Sequence, residues 1–359
     1  MDVTLYSQKI RNMSFVCTML VVAIHVHFSP VVGDSGWWFG NVFALGVSSL
    51  AVPCFFLLSG VLAAAHFEDE AYWGAAVAKR IRTLVVPYAL WSIMFVGELL
   101  VMRCVQAMLH GVASSPSQIF AGHGLLEVLG VDVYRMPVLF PLWYIRSLFV
   151  LILVLPVFKW AADSKMRFFC LEIALVAMLL VSRGLPGDLN ALFRFTISIE
   201  GAVYFLAGVM LARHGLPQLS VVWGVALGGV GLGWHLVRVC CMYKGVAVDP
   251  RWDMVAVPLM ITGVWTVMPG SRWPRWLTSS AFGCYLIHPF FLLVFNVLLV
   301  WFGRWCGCQI IDRLVTSLCV WSACCICSVL SVIVLNVYLP IAAQWLFGGR
   351  VYNVRGGTT

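Results

Sequence analysis

The chain has 359 residues, of which 62% are hydrophobic and 11% charged, with a mean hydropathy of +0.96. Soluble domains carry roughly 45–50% apolar and about 25% charged residues, so a soluble globular enzyme is excluded and a polytopic membrane protein is indicated. The net charge of +8 is spread over the segments between apolar runs, which is how membrane topology is written, so no nucleic-acid partner is expected.

The first apolar run ends in Val21–Val22–Ala23–Ile24–His25. No small-residue cleavage site follows it, so it reads as a transmembrane helix rather than a leader. A helix needs about 20 apolar residues to cross the hydrocarbon core. Ten such segments are expected: 13–32, 43–65, 84–103, 139–160, 168–183, 196–213, 219–241, 253–270, 279–301 and 314–339. The fold class is therefore an all-α membrane bundle of about ten transmembrane helices. The transmembrane domain is expected over 1–347, with 348–359 as a short cytoplasmic tail. The stretch 104–138 is expected to lie on a membrane face as a partly ordered cap. With the N-terminus inside, thirteen Lys and Arg fall in cytoplasmic segments and nine on the other side, which favours N-in/C-in. Most of the 13 cysteines, such as Cys17, Cys54 and Cys284, sit inside apolar runs. There they act as small hydrophobes, and no paired CxxC knuckle points to a metal.

Ionisable groups at membrane depth are costly and tend to face a protein interior or a wet cavity. His25 is the first of these. Arg146 is the second, in Pro141–Leu142–Trp143–Tyr144–Ile145–Arg146, with an ion pair to Glu200 as its structural alternative. His288 is the third, in Tyr285–Leu286–Ile287–His288–Pro289, where Tyr285 shares its helical face and Pro289 should loosen the backbone. Two histidines and an arginine suit proton transfer beside developing negative charge, and equally a proton-coupled transporter. Lys79–Arg80–Ile81–Arg82 is a positive-inside anchor or a phosphate clamp. Ser59–Gly60 lets two helices approach closely, or leaves room for a narrow ligand. Arg11 precedes His25 by 14 positions, about 21 Å along a helix and roughly on the same face.

Taken in order, these pieces resemble the acyltransferase 3 family of integral-membrane acyltransferases, which modify cell-surface carbohydrates. The resemblance rests on Val21–His25, Ala51–Val52–Pro53–Cys54–Phe55–Phe56–Leu57–Leu58–Ser59–Gly60, and Lys79–Arg82 with Pro87–Tyr88. It continues through Pro141–Arg146, Tyr204–Phe205–Leu206–Ala207–Gly208 and Phe282–Gly283–Cys284–Tyr285–Leu286–Ile287–His288. It implies transfer of an acyl group, usually acetyl, from cytoplasmic acyl-CoA to a sugar hydroxyl, in the inner membrane of a bacterium. The donor is then acetyl-CoA or another acyl-CoA, with no metal, and the partners are a carbohydrate acceptor and membrane lipids. On this reading Arg11, Lys79, Arg80 and Arg82 hold the donor phosphates, and the pantetheine arm passes Ser59 and Gly60. His25 acts as general base or forms an acyl-imidazole. Arg146, Tyr285 and His288 orient the acceptor or stabilise the oxyanion, while Trp143, Tyr144 and Glu200 contact the sugar. The family usually places an arginine eleven residues before the helix-one histidine. Here that position is Ser14, and Arg11 is one turn lower. The rival reading is a transporter or flippase of a carbohydrate or lipid-linked intermediate, which often shows repeated halves; none is visible.

Overall fold

A computed structural model describes residues 3–26, 31–69, 71–110, 130, 132–215, 219–306 and 313–350. Every described element is helical. In chain order they are α1 (Val3–His25), α2 (Ser35–Trp38), a π turn (Phe39–Ala44), a 3-10 turn (Val47–Leu50) and α3 (Ala51–Ala64). Next come α4 (Tyr72–Arg80), a second π turn (Ile81–Val85) and α5 (Val86–His110). A 3-10 turn (Phe140–Leu142) opens α6 (Trp143–Leu153) and α7 (Leu155–Ala162). Then follow α8 (Lys165–Ser182), α9 (Gly187–Ala191), a third π turn (Leu192–Thr196) and α10 (Ile199–His214). The remainder is α11 (Val221–Tyr243), α12 (Asp253–Val267), α13 (Arg275–Thr278), α14 (Ala281–Cys306), α15 (Arg313–Tyr338) and α16 (Pro340–Leu346).

Each of the ten expected segments coincides with a helix, but fewer are long and apolar enough to cross a bilayer. Among the described residues, six continuous helical stretches qualify: 35–64, 72–98, 187–214, 221–243, 281–299 and 313–338. A seventh is α6 with α7, bent by 61°. The bend has a cause: Pro156 sits in the first turn of α7 and cannot donate back to α6. Among the expected spans, 253–270 is only the 15 residues of α12, because Pro269 and Gly270 follow it. Helix α1 starts ten residues before the expected boundary, as its polar residues have partners: Ser14 and Thr18 each donate to the carbonyl four residues back. The expected cap over 104–138 lies mostly outside the described residues, and so does 351–359.

The chain forms two compact units. The first comprises 1–59, 214–340 and 350–359; the second comprises 60–213 and 341–349.

In the first unit, α1, α14 and α15 share an apolar cluster of Val22, Val26, Leu292, Val320 and Cys324, joined by Phe39 and Ala44 of the π turn. Trp321 donates its indole N–H to the Met19 carbonyl at 2.9 Å. Helices α11 and α12 approach along a seam of small residues. A Cβ on Gly228 would meet Gly263 Cα at 2.9 Å, and one on Gly231 would meet the Ala256 carbonyl oxygen at 2.7 Å. Membrane helices associate by close packing rather than by hydrophobic burial, so small residues at such seams are what chemistry requires. Away from the seam, α11 turns Val222 and Trp223 outward, exposed by 76% and 66%. An exposed apolar face of this kind suits contact with lipid.

In the second unit, Gly60 of α3 touches α10. A Cβ there would collide with the Phe205 carbonyl oxygen and stand 3.1 Å from the Val209 nitrogen. Trp91 of α5 donates to the Leu346 carbonyl at 2.9 Å, which docks α16.

Candidate active site

The first unit brings three of the expected catalytic residues together. His25 is the last residue of α1, and its ring stacks on that of His288 with centroids 5.5 Å apart and planes inclined by 27°. The Tyr285 ring lies 6.1 Å from the His288 ring, and Phe55 meets Tyr285 edge-on at 6.4 Å. His288 is completely buried, Tyr285 nearly so, and His25 is half-buried. Of the two imidazoles, His25 is the less buried.

Pro289 does not loosen α14, which runs unbroken from Ala281 to Cys306. Lacking an N–H, it leaves the Tyr285 carbonyl four residues earlier without its helical donor. His288 Nδ1 takes that carbonyl at 2.8 Å, with the Cys284 carbonyl at 3.3 Å. Carbonyls only accept, so Nδ1 carries the proton. Nε2 then holds the lone pair, and it is buried with no hydrogen-bond partner among the described residues. The Cys324 thiol donates to the His288 carbonyl at 3.4 Å, tying the same turn to α15.

Arg11 also belongs to the first unit. It lines a cavity of about 230 Å³ with Arg272, Trp273 and Arg275. These last three sit just before and within α13, where sequence reasoning counted the two arginines only as topology charges.

Apart from Ser59, which belongs to the first unit, the other expected residues lie in the second unit. Arg146, on the first turns of α6, has the carbonyls of a preceding loop as partners. Its Nη1 donates to Asp132 at 2.7 Å and to Gly130 at 3.2 Å, and its Nη2 to Arg135 at 2.8 Å. The Tyr88 hydroxyl donates to the same Gly130 carbonyl at 2.5 Å. The ion pair weighed for Arg146 with Glu200 does not form; Glu200 meets Arg183 instead, at 3.4 Å. Backbone carbonyls leave no mark in a sequence, which is why the partner was misjudged. Trp143 is half-buried and packs edge-on to Phe195 at 5.7 Å. Tyr144 is buried and interacts electrostatically with Arg80. Lys79 and Arg82 are exposed and Arg80 half-buried, with the second π turn separating Arg80 from α5. Ser59 is half-buried, and Gly60 serves the tight α3–α10 contact.

A second buried histidine cluster was not anticipated. His235 of α11 places Nδ1 3.1 Å from Asp253 Oδ1 and Nε2 3.0 Å from the Asn41 carbonyl. Arg238 pairs with the other Asp253 oxygen.

A family model described as an acyltransferase domain matches residues 9–337. The chain is 26% identical over 272 residues to succinoglycan biosynthesis protein ExoH of Rhizobium meliloti (strain 1021), covering 73% of this chain and 70% of that protein. No solved structure matches the chain. The match sets aside the transporter alternative, and with the apolar helices it makes this a multi-pass integral membrane enzyme: the chain belongs to the acyltransferase 3 family.

Proposed function

We propose that the chain is an O-acyltransferase that moves an acyl group from a cytoplasmic acyl-CoA, acetyl-CoA in the first instance, to a hydroxyl of a surface polysaccharide or its lipid-linked precursor. The observation that carries this is the stacked His25–His288 pair, with one nitrogen lacking a partner among the described residues, in a chain of acyltransferase ancestry. The polysaccharide acceptor is supported by the similarity to a succinoglycan biosynthesis protein. The chain is read as N-in/C-in, with the start of α1 at the cytoplasmic face.

In the reaction, His25 takes the proton of the acceptor hydroxyl as its oxygen attacks the thioester carbonyl carbon. The tetrahedral intermediate collapses with cleavage of the C–S bond. The thiolate leaves and takes its proton from the His25 imidazolium. Stacked on it, neutral His288 keeps one orientation because its Nδ1 proton is committed to the Tyr285 carbonyl. The Tyr285 hydroxyl is the proposed donor to the oxyanion or acceptor. Arg146 acts as a positioning residue, holding the 130–135 backbone, while Trp143, Tyr144 and Glu200 of the same unit contact the sugar. Lys79, Arg80 and Arg82 are proposed to attract the donor phosphates. The arm of the donor is proposed to run beside Ser59, since α10 fills the space at Gly60.

The test is transfer of radiolabelled acetyl from acetyl-CoA to glycan by the purified protein in lipid. The wild-type chain is expected to label the glycan and His25→Ala to fail. Equal labelling by the two proteins would remove the base assignment, and no labelling by either would remove the donor.

A further inference from the structure

Five arginines of the described residues pair with carboxylates: Arg183, Arg213, Arg238, Arg251 and Arg313. Arg11, Arg272 and Arg275 do not, yet they converge on one cavity of about 230 Å³. The other lining residues are Ser7, Gln8, Asn12, Trp273 and Thr278, so no carboxylate is among them. All three arginines are exposed on the lining of that cavity, so their paired N–H donors are open to an anion from solution.

The cavity is also built. Asn12 is buried and donates to the carbonyls of Pro269 at 2.9 Å and Ser271 at 3.1 Å, which fixes the loop carrying Arg272. The Gln8 amide, oriented by its neighbours, donates to the Gly270 carbonyl at 2.7 Å and accepts from Arg272 Nε at 3.0 Å. Arg272 is thereby held by its inner nitrogen. Trp273 is half-buried, packed edge-on against Phe15 at 6.5 Å, and forms an apolar wall beside the charges. Guanidinium groups bind phosphate through paired N–H donors, and an indole face suits a nucleobase.

From this geometry we infer that the cavity formed by Arg11, Arg272, Trp273 and Arg275 binds a phosphate monoester: the phosphorylated nucleotide end of the thioester donor. The inference rests on the acyl-CoA reading above and adds Arg272, Trp273 and Arg275 to it. Arg11 stands 14 positions before His25 on the unbroken α1, about 21 Å away, so an extended arm is needed between the anchored phosphate and the reacting carbonyl. An acidic lipid headgroup offers the same phosphate chemistry, and the experiment separates the two sources.

The experiment measures binding of coenzyme A and of dephospho-coenzyme A, which lacks the monoester, to the full chain in discs of phosphatidylcholine. The wild-type chain is expected to prefer coenzyme A by about tenfold or more, the effect of one charge-assisted contact. The R272Q/R275Q protein is expected to lose that preference and to raise KM for the donor with a smaller change in kcat. R272K/R275K should recover part of the affinity, because charge returns without the paired donors. Unchanged coenzyme A affinity and preference in R272Q/R275Q would overturn the inference. So would a result in which the two arginines matter only when phosphatidic acid is added to the discs, which would assign the site to lipid. His25→Ala serves as the control: it should keep coenzyme A binding while losing transfer. Absence of coenzyme A binding by the wild-type chain itself would instead strike the donor reading.

Discussion

Two buried histidines of the first unit show what separates a pin from a reagent. His235 has both ring nitrogens engaged, by the Asp253 carboxylate and the Asn41 carbonyl, and Arg238 completes the charge balance. Every polar atom of that ring has a neighbour, so it holds α11, α12 and the first π turn together. His288 is equally buried, but only Nδ1 is engaged. Its ring faces a second imidazole rather than a carboxylate. Burial alone does not distinguish the two rings; the engagement of the second ring nitrogen does.

The comparison breaks first at His25. His25→Ala is expected to lower kcat by about 10²–10⁴, the range for loss of a general acid–base group, with folding unaffected in a thermal melt. Retention of wild-type kcat would put His25 in the same class as His235. For the pin the expectation is reversed. Asp253→Ala leaves His235 and Arg238 without their carboxylate and should cost about 1–3 kcal/mol in unfolding stability, while kcat per folded molecule stays within twofold. A large drop in kcat without destabilisation would make it catalytic.

Pro289→Ala sharpens the contrast. It restores an N–H that competes for the Tyr285 carbonyl, so His288 loses its fixed orientation. A hydrogen bond of about 0.5–1.5 kcal/mol sets the scale, and kcat should fall by up to about tenfold. The helix itself should become more stable, and opposite signs in melt and rate are the signature to seek. The smallest effect is expected at Arg146→Lys. It removes paired contacts to the 130–135 carbonyls, so amide exchange there should quicken while donor KM holds.

Much of this was legible. His25 and His288 stand out because imidazoles are rare in apolar runs, and their order along the chain resembled a known family. Their face-to-face contact was not legible, since 263 residues separate them. The role of Pro289 was read as loosening, because the sequence shows the missing N–H but not the side chain that replaces it. Arg146 was correctly seen to need partners, but carbonyl partners carry no residue signature. The three π turns escaped notice for the same reason, as an inserted residue leaves apolar composition unchanged. Arg272 and Arg275 looked like loop charges until the Asn12 and Gln8 amides were seen to fold their loop against α1.

Asn12 and His25 stand on one uninterrupted helix, thirteen residues apart, or about 20 Å. A helix neither stretches nor telescopes, so this stretch of α1 serves as a ruler. With the donor seated as proposed, molecules whose sulfur and charged end are spaced shorter would grip the foot or meet the imidazole, but not both. On that proposal, selection among cellular thioesters would fall on linker length before the identity of the carried group is ever tested.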